Sequence, residues 1–336
     1  PRPPPPSPHH YVFPAHSGDL LGAQRSAARE LGVRLYMSRG SMDLSVKDGG
    51  LPPDSVVQTV DEIMADSVRC IEKYHDDSYG AMCRVALAPC SPFSVSAELL
   101  RQSAILARQY HVRLHTHLCE TKDEENFMLQ REGIRPLDYM ARLGWLGDDV
   151  WFAHGIHFND EELRLLARTG TGVAHCPISN MKLASGFARV PEMLKRGVKL
   201  TLATDGAASN NALDMFREMY LAAALQKVYE HDASACRAED VLKMACVGGA
   251  RAMGLPDCDD IAVGKRADLV VINLRRPNMQ PLNSIASNIV YAGSKENVRL
   301  TMVNGRILYE NSEFFIGEQP KYIYAAANAF MEAIRK

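Results

Sequence analysis

No apolar run in these 336 residues approaches the roughly 18–20 that a membrane-spanning helix needs. The first ten residues, "PRPPPPSPHH", contain no apolar stretch of the secretory-signal kind and read as an irregular proline-rich start. There is no Cys-x-x-Cys pair, which removes zinc ribbons and thioredoxin-like redox sites. There is no long basic run either, and the formal net charge is −2. Nucleic acid and anionic membrane surfaces are therefore not expected partners, and a small neutral or polar molecule is the more natural one. No Gly-x-Gly-x-x-Gly follows a first strand, so a dinucleotide fold is not indicated.

What is present is the composition of an ordinary globular protein, 46% apolar and 23% charged. Its eight cysteines are scattered, several inside apolar segments such as "DVLKMACVGGA". Such cysteines read as reduced buried thiols, and a cytoplasmic location is the expectation.

One rhythm runs from His9 to Gly206: a short apolar run, a turn, then a longer stretch of helical period. The apolar runs are "HHYVF", "VRLYMS", "CRVALAP", "VRLHTHL", "VWFAHG", "GVAHC" and "VKLTLATD", with amphipathic segments such as "AELLRQSAILARQY" and "DEELRLLARTG" between them. Strands alternating with helices predict a parallel sheet. Seven units in a row favour a TIM-type (β/α)8 barrel over a doubly wound sheet. The texture then turns β-rich at "ADLVVINL" and "VRLTMVNGRILYEN", the latter carrying the hairpin signal Asn304-Gly305. The expected organisation is an irregular start at 1–8, a barrel over 9–255, part of a small β-sandwich over 256–315 and a closing helix over 316–336.

Polar residues fall where barrel active sites assemble, at the C-terminal ends of strands: His117, His154, His175 and Asp205. His115 and His117, two apart in one strand, share a face. A lone histidine reads as a hydrogen-bonded core residue, but several imidazoles and a carboxylate at one rim are costly to bury without a metal or hydrogen-bond partners. Zinc suits such ligands and lowers the pKa of a bound water toward neutrality. Glu120, three residues past His117, can shuttle protons, Asp205 can bind metal and accept the water's proton, and His154 can stabilise a developing oxyanion.

In order, "HTHLCE", "FAHG", "AHCPISN" and "ATDGAASNN" resemble the motifs of strands 5 to 8 in the amidohydrolase superfamily, in its cytosine/guanine-deaminase-like branch. The resemblance covers nearly the whole chain from His9. "YVFP", "SRGSMDLS", "GGLPPD" and "LAPCSPFSVS" look like 8-oxoguanine deaminases and related hydroxytriazine aminohydrolases, whereas "TDGAASNNALDMFREMYLAAALQK" looks like methylthioadenosine/S-adenosylhomocysteine deaminases. The resemblance implies one divalent metal ion, zinc before iron or manganese, with His117 and Asp205 as ligands. It also implies Glu120 as the proton-transfer residue and His154 as the group facing substrate and water. His175, Arg39, Cys90 and Ser91 are then candidates for shaping the substrate pocket, each set against an ordinary structural role.

The family opens with a β-sandwich segment and then a first barrel strand ending in His-x-His, which supplies two further ligands, and no such motif precedes "HTHL". His9 and His10 are adjacent, on opposite faces of any strand, and do not replace it. The sequence thus predicts a barrel lacking its first strand, with a partial appended β-sandwich. The implied activity is hydrolytic deamination of an amino-substituted purine-like or triazine-like heterocycle, the 8-oxoguanine type favoured, with S-adenosylhomocysteine/methylthioadenosine as the alternative substrates. A reading of another class is a truncated, non-catalytic barrel that binds a ligand or partner. Association into a homo-oligomer is left open. A zinc deaminase of the Pro-Cys-x-x-Cys type is set aside, because Phe93 stands where its second cysteine belongs.

Overall fold

The computed structural model describes residues 7–14 and 17–335, so most of the expected proline-rich start lies outside the described residues. Among the described residues, six parallel strands form one sheet: β1 (Leu35–Ser41), β2 (Cys83–Pro89), β3 (Arg113–Leu118), β4 (Val150–His154), β5 (Gly172–His175) and β6 (Lys199–Leu202). They lie side by side in sequence order, which is barrel winding; a doubly wound sheet would reverse. A pairing of β6 with β1 that would close the barrel is not found among the described residues.

Helices α1 (Leu20–Leu31), α2 (Val60–Tyr74), α3 (Ala97–Gln109), α4 (Lys122–Glu132), α5 (Pro136–Arg142), α6 (Asp160–Thr169), α7 (Pro177–Lys182) and α8 (Val190–Arg196) alternate with the strands. Their boundaries follow local chemistry. Thr59 and Glu62 make a reciprocal capping box at the start of α2, as do Asn159 and Glu162 at α6. α1, α4, α6 and α8 stop at glycines 32, 133, 170 and 197, all left-handed. The main core lies between sheet and helices, around Leu99, Leu114, Phe152, Leu163 and Val173. A second, smaller core of Tyr36, Ala86, Trp151, Ala174, Met253 and Leu255 fills the interior of the curved sheet.

One expected strand does not form. Residues 9–13, "HHYVF", take no regular structure. The segment lies beside β1, where the Gly40 amide donates to the His10 carbonyl at 2.9 Å, and Pro8 and Pro14 bracket it without donors of their own.

Beyond β6 come helical segments, including Met215–Tyr229, and then an antiparallel sheet of β7 (Leu269–Ile272), β8 (Val298–Val303), β9 (Arg306–Glu310) and β10 (Glu313–Phe314). Asn304 and Gly305 turn between β8 and β9 with φ of 48° and 82°, as a type I′ hairpin requires. The closing helix Pro320–Ile334 buries none of its residues. No helix among the described residues is long and apolar enough to cross a membrane. No disulfide is found among them either, and six of the eight cysteines are buried.

Candidate active site

Strand parity decides which side chains reach the interior. Tyr36 of β1 is in the inner core, so Arg39, on the opposite parity, points out toward α2. Its buried guanidinium bonds Asp66 at 2.6 Å and Gln58 at 3.0 Å and lies over the Phe13 ring. Arg39 is therefore not brought to the rim.

On β3, His115 and His117 both face inward. His115 is the ordinary core case: its ring stacks on Trp151 at 4.8 Å and its Nδ1 bonds the Trp151 carbonyl at 3.1 Å. His117 differs. Its Nδ1 lies 2.7 Å from the Cys90 carbonyl, so it carries the proton and leaves the Nε2 lone pair available to a metal. Burial first, then His154, keep this imidazole below its usual pKa, against the pull of Glu120 and Asp205. Cys90 enters the site through its carbonyl, which also accepts the His117 amide at 3.2 Å, while Ser91 bonds the Cys90 thiol.

The next residues are aimed by unusual backbone. Cys119, His154 and Asp205, at or just beyond the ends of β3, β4 and β6, have φ of 53°, 74° and 61°. Left-handed backbone at a non-glycine residue costs of order 1–3 kcal/mol and clusters at functional sites. After Cys119, Glu124 accepts the amides of Cys119 and Glu120 at 2.8 and 3.2 Å, fixing the turn that presents Glu120. Glu120 Oε2 lies 3.6 Å from His154 Nε2, and Oε1 accepts from Ser185 at 3.3 Å. Burial raises the Glu120 carboxyl above the ordinary range. His154, 2% exposed, stacks on His117 at 5.4 Å and meets Asn180 at 3.0 Å through Nδ1.

Asp205 accepts from Ser179 at 2.5 Å and Ser209 at 2.9 Å on Oδ2, and from the Gly206 amide at 2.7 Å on Oδ1. Burial works to raise this carboxyl, but Ser179, His154 and the Gly206 amide hold it below its ordinary value. His175 is buried nearby, with neither ring nitrogen hydrogen-bonded among the described residues, and burial then His154 push its pKa down to about 3.

The structure thus gathers Glu120, His154, Asp205, His117 and His175 at one rim and leaves Arg39 outside it. Sequence reasoning passed over Ser179, Asn180 and Ser185. It also dismissed His9, whose buried ring packs at 4.3 Å on His117 and 4.5 Å on His115. Ser179 and Asn180 sit inside the quoted motif "AHCPISN", the signal that was available. A surface cleft of about 460 Å³, lined by Phe187, Val228, Tyr229 and neighbours, includes none of the rim residues.

His117 and Asp205 suit a divalent ion singly. As a set they fall short: among the described residues no three His, Cys, Asp or Glu side chains come together to hold a metal.

The chain is 48% identical over 266 residues to the 8-oxoguanine deaminase of Pseudomonas aeruginosa, covering 79% of this chain and 59% of that protein. It is 43% identical over 253 residues to the 5-methylthioadenosine/S-adenosylhomocysteine deaminase of Nitratidesulfovibrio vulgaris, covering 75% and 56%. The chain thus spans rather more than half the length of these curated relatives. A solved adenosine deaminase from Xanthomonas campestris with bound zinc superposes with a TM-score of 0.88 at 31% identity, over 98% of this chain and 71% of that one. The Amidohydrolase family profile matches residues 6–308, and with the sequential parallel sheet and the carboxylate–imidazole rim already described, the chain belongs to the amidohydrolase family.

Proposed function

We propose that this chain carries the chemistry of a hydrolytic deaminase for an amino-substituted heterocycle, with a purine of the 8-oxoguanine type as first choice. One observation carries the reading: Glu120 and Asp205, two carboxyls at one rim, have environments that push their pKa values apart. Such a division is how one site supplies both acid and base. Asp205, kept ionised, accepts a proton from the attacking water. Glu120, kept more readily protonated, passes a proton to the ring nitrogen. His154 hydrogen-bonds the oxygen that adds to carbon. Water adds at the carbon bearing the amino group, the C–N bond to that group breaks, and ammonia leaves as the carbonyl forms, its last proton returning through the two carboxyls.

The proposed cofactor is a divalent ion, zinc before iron or manganese, to which His117 through Nε2 and Asp205 would be ligands. The proposed partner is the small heterocycle, with association into a homo-oligomer left open. The relative named for methylthioadenosine and S-adenosylhomocysteine supports those nucleosides as the second substrate choice. The second reading, a non-catalytic barrel that binds a ligand or partner without metal, is supported by a ligand set that is incomplete among the described residues.

Ammonia release from 8-oxoguanine, methylthioadenosine and S-adenosylhomocysteine, measured beside the metal content of the purified chain, separates these readings. Stoichiometric zinc with ammonia from 8-oxoguanine would exclude the binding-only reading. A metal-free chain that releases none, even with zinc added, leaves only the binding role. Where turnover is present, Glu120→Gln lowers it at least ~100-fold with an unchanged unfolding midpoint. Near-normal rates in that variant would remove Glu120 from the mechanism.

A further inference from the structure

The motif "AHCPISN" contains two residues that the chemistry above does not use, although both are fully buried at the rim. Ser179 and Asn180 are neighbours on α7 and are 0% and 1% exposed. Ser179 holds Asp205, and the Asn180 amide lies 3.0 Å from His154 Nδ1. The helix is itself anchored, since the Ile178 amide donates to Glu218 Oε2 at 3.2 Å and Asn210 bonds the other oxygen of the same buried carboxyl.

We infer that Asn180 is a positioning residue that fixes His154 as the neutral tautomer protonated on Nε2, so that His154 faces the rim as a hydrogen-bond donor. A neutral imidazole has one donor nitrogen and one acceptor. The two nitrogens of His154 have different neighbours. Nε2 faces a carboxylate oxygen of Glu120 at 3.6 Å, and Nδ1 faces the Asn180 side-chain N–H. A proton on Nε2 suits both ends. A proton on Nδ1 sets donor against donor at Asn180, the closer of the two contacts. Turning the amide over relieves that conflict only by leaving its N–H groups where Oδ1 now stands without a partner, and buried orphan donors are rarer than under-satisfied oxygens. Stacking on His117 limits rotation of the ring, so the Asn180 contact sets tautomer and aim together. His154 then begins the reaction as a donor to oxygen, not as a base.

The inference rests on the deaminase reading only for the use made of that donor, because the tautomer is measurable without substrate, metal or turnover. The experiment is a long-range proton–nitrogen NMR correlation on the full chain labelled with 15N-histidine, with the His154 signals identified by their loss in His154→Gln. The expected pattern is a protonated Nε2 and a bare Nδ1. In Asn180→Asp, whose carboxylate accepts, Nδ1 becomes protonated. In Asn180→Leu, which offers no partner, the two tautomers average. A bare Nε2 in the unsubstituted chain overturns the inference whether or not any variant folds, and so does an unchanged pattern in a folded Asn180→Asp. Absent turnover with the expected pattern intact removes the deaminase reading and leaves the tautomer assignment standing.

Discussion

His175 shows what burial costs at the scale of one residue. Both of its nitrogens lack partners among the described residues, and its pKa falls to about 3, from burial first and then from His154. The unfolded chain takes up a proton here below about pH 6.5, and the folded chain does not until about 3. Protons in that window favour unfolding, so stability is lost as pH falls through it, by ~1.4 kcal/mol per pH unit while the difference is one full proton. Glu124 and Glu218 act in the opposite sense, because burial pushes each carboxyl up to about 7. The folded chain then keeps protons that the unfolded chain has released, and stability is lost as pH rises from about 4.5 toward 7. Comparing His175→Gln with the unsubstituted chain cancels the two carboxyls. The urea midpoint of the variant is expected to fall less steeply between pH 6.5 and 4.5, and parallel curves would show that His175 is not held neutral. At this scale the sequence was partly legible. Histidines two apart on a strand had to share a face, and parity alone could have turned Arg39 away from the rim. That Cys90 contributes a carbonyl, and that His175 meets no partner among the described residues, depends on neighbours distant in the chain.

At the scale of elements, the edge of β1 is the informative place. A Cβ on Gly40 would sit 2.2 Å from the His10 carbonyl oxygen and 2.7 Å from the Tyr11 Cα, both backbone contacts with nowhere to go. Gly40→Val is expected to push residues 9–13 off the edge, expose the amide of residue 40 and withdraw His9 from His115 and His117. A loss of ~1–3 kcal/mol in urea unfolding is the expected size, with faster hydrogen exchange at that amide. Full protection in the variant would mean that the segment does not shelter the strand. The same segment explains the one strand expected but not formed. "HHYVF" reads as a short apolar run bounded by prolines, and such a run does not say whether a neighbour exists to complete the ladder. Six strands were legible because turns and amphipathic helices bounded them. α4 was not, because "KDEENFMLQRE" carries almost no apolar face. α2 had its start written in Thr59 and Glu62, a signal present and left unread.

At the scale of the molecule, one ion pair ties the small antiparallel sheet to the barrel. Arg34, just before β1, meets Asp268, just before β7, through two bonds of 2.8 and 3.1 Å, with side-chain exposures of 3% and 9%. Burial alone would raise the Asp268 carboxyl, but the Arg34 guanidinium and the Asn304 amide hold it below the ordinary range. Arg34 also donates to the carbonyls of Gly80 and Ala81, and Asp268 accepts from the Asn304 amide at the β8–β9 turn. Removing one partner therefore strands a buried charge at a junction of both sheets. Asp268→Ala is expected to cost about 3–5 kcal/mol, well above the ~1 kcal/mol of an exposed pair. Arg34→Met with Asp268→Leu removes both charges together and should cost less than Asp268→Ala alone, a coupling that a double-mutant cycle reads directly. If the single change costs no more than a surface pair, the small sheet is held by its apolar contacts, and the electrostatic link between the two units is incidental.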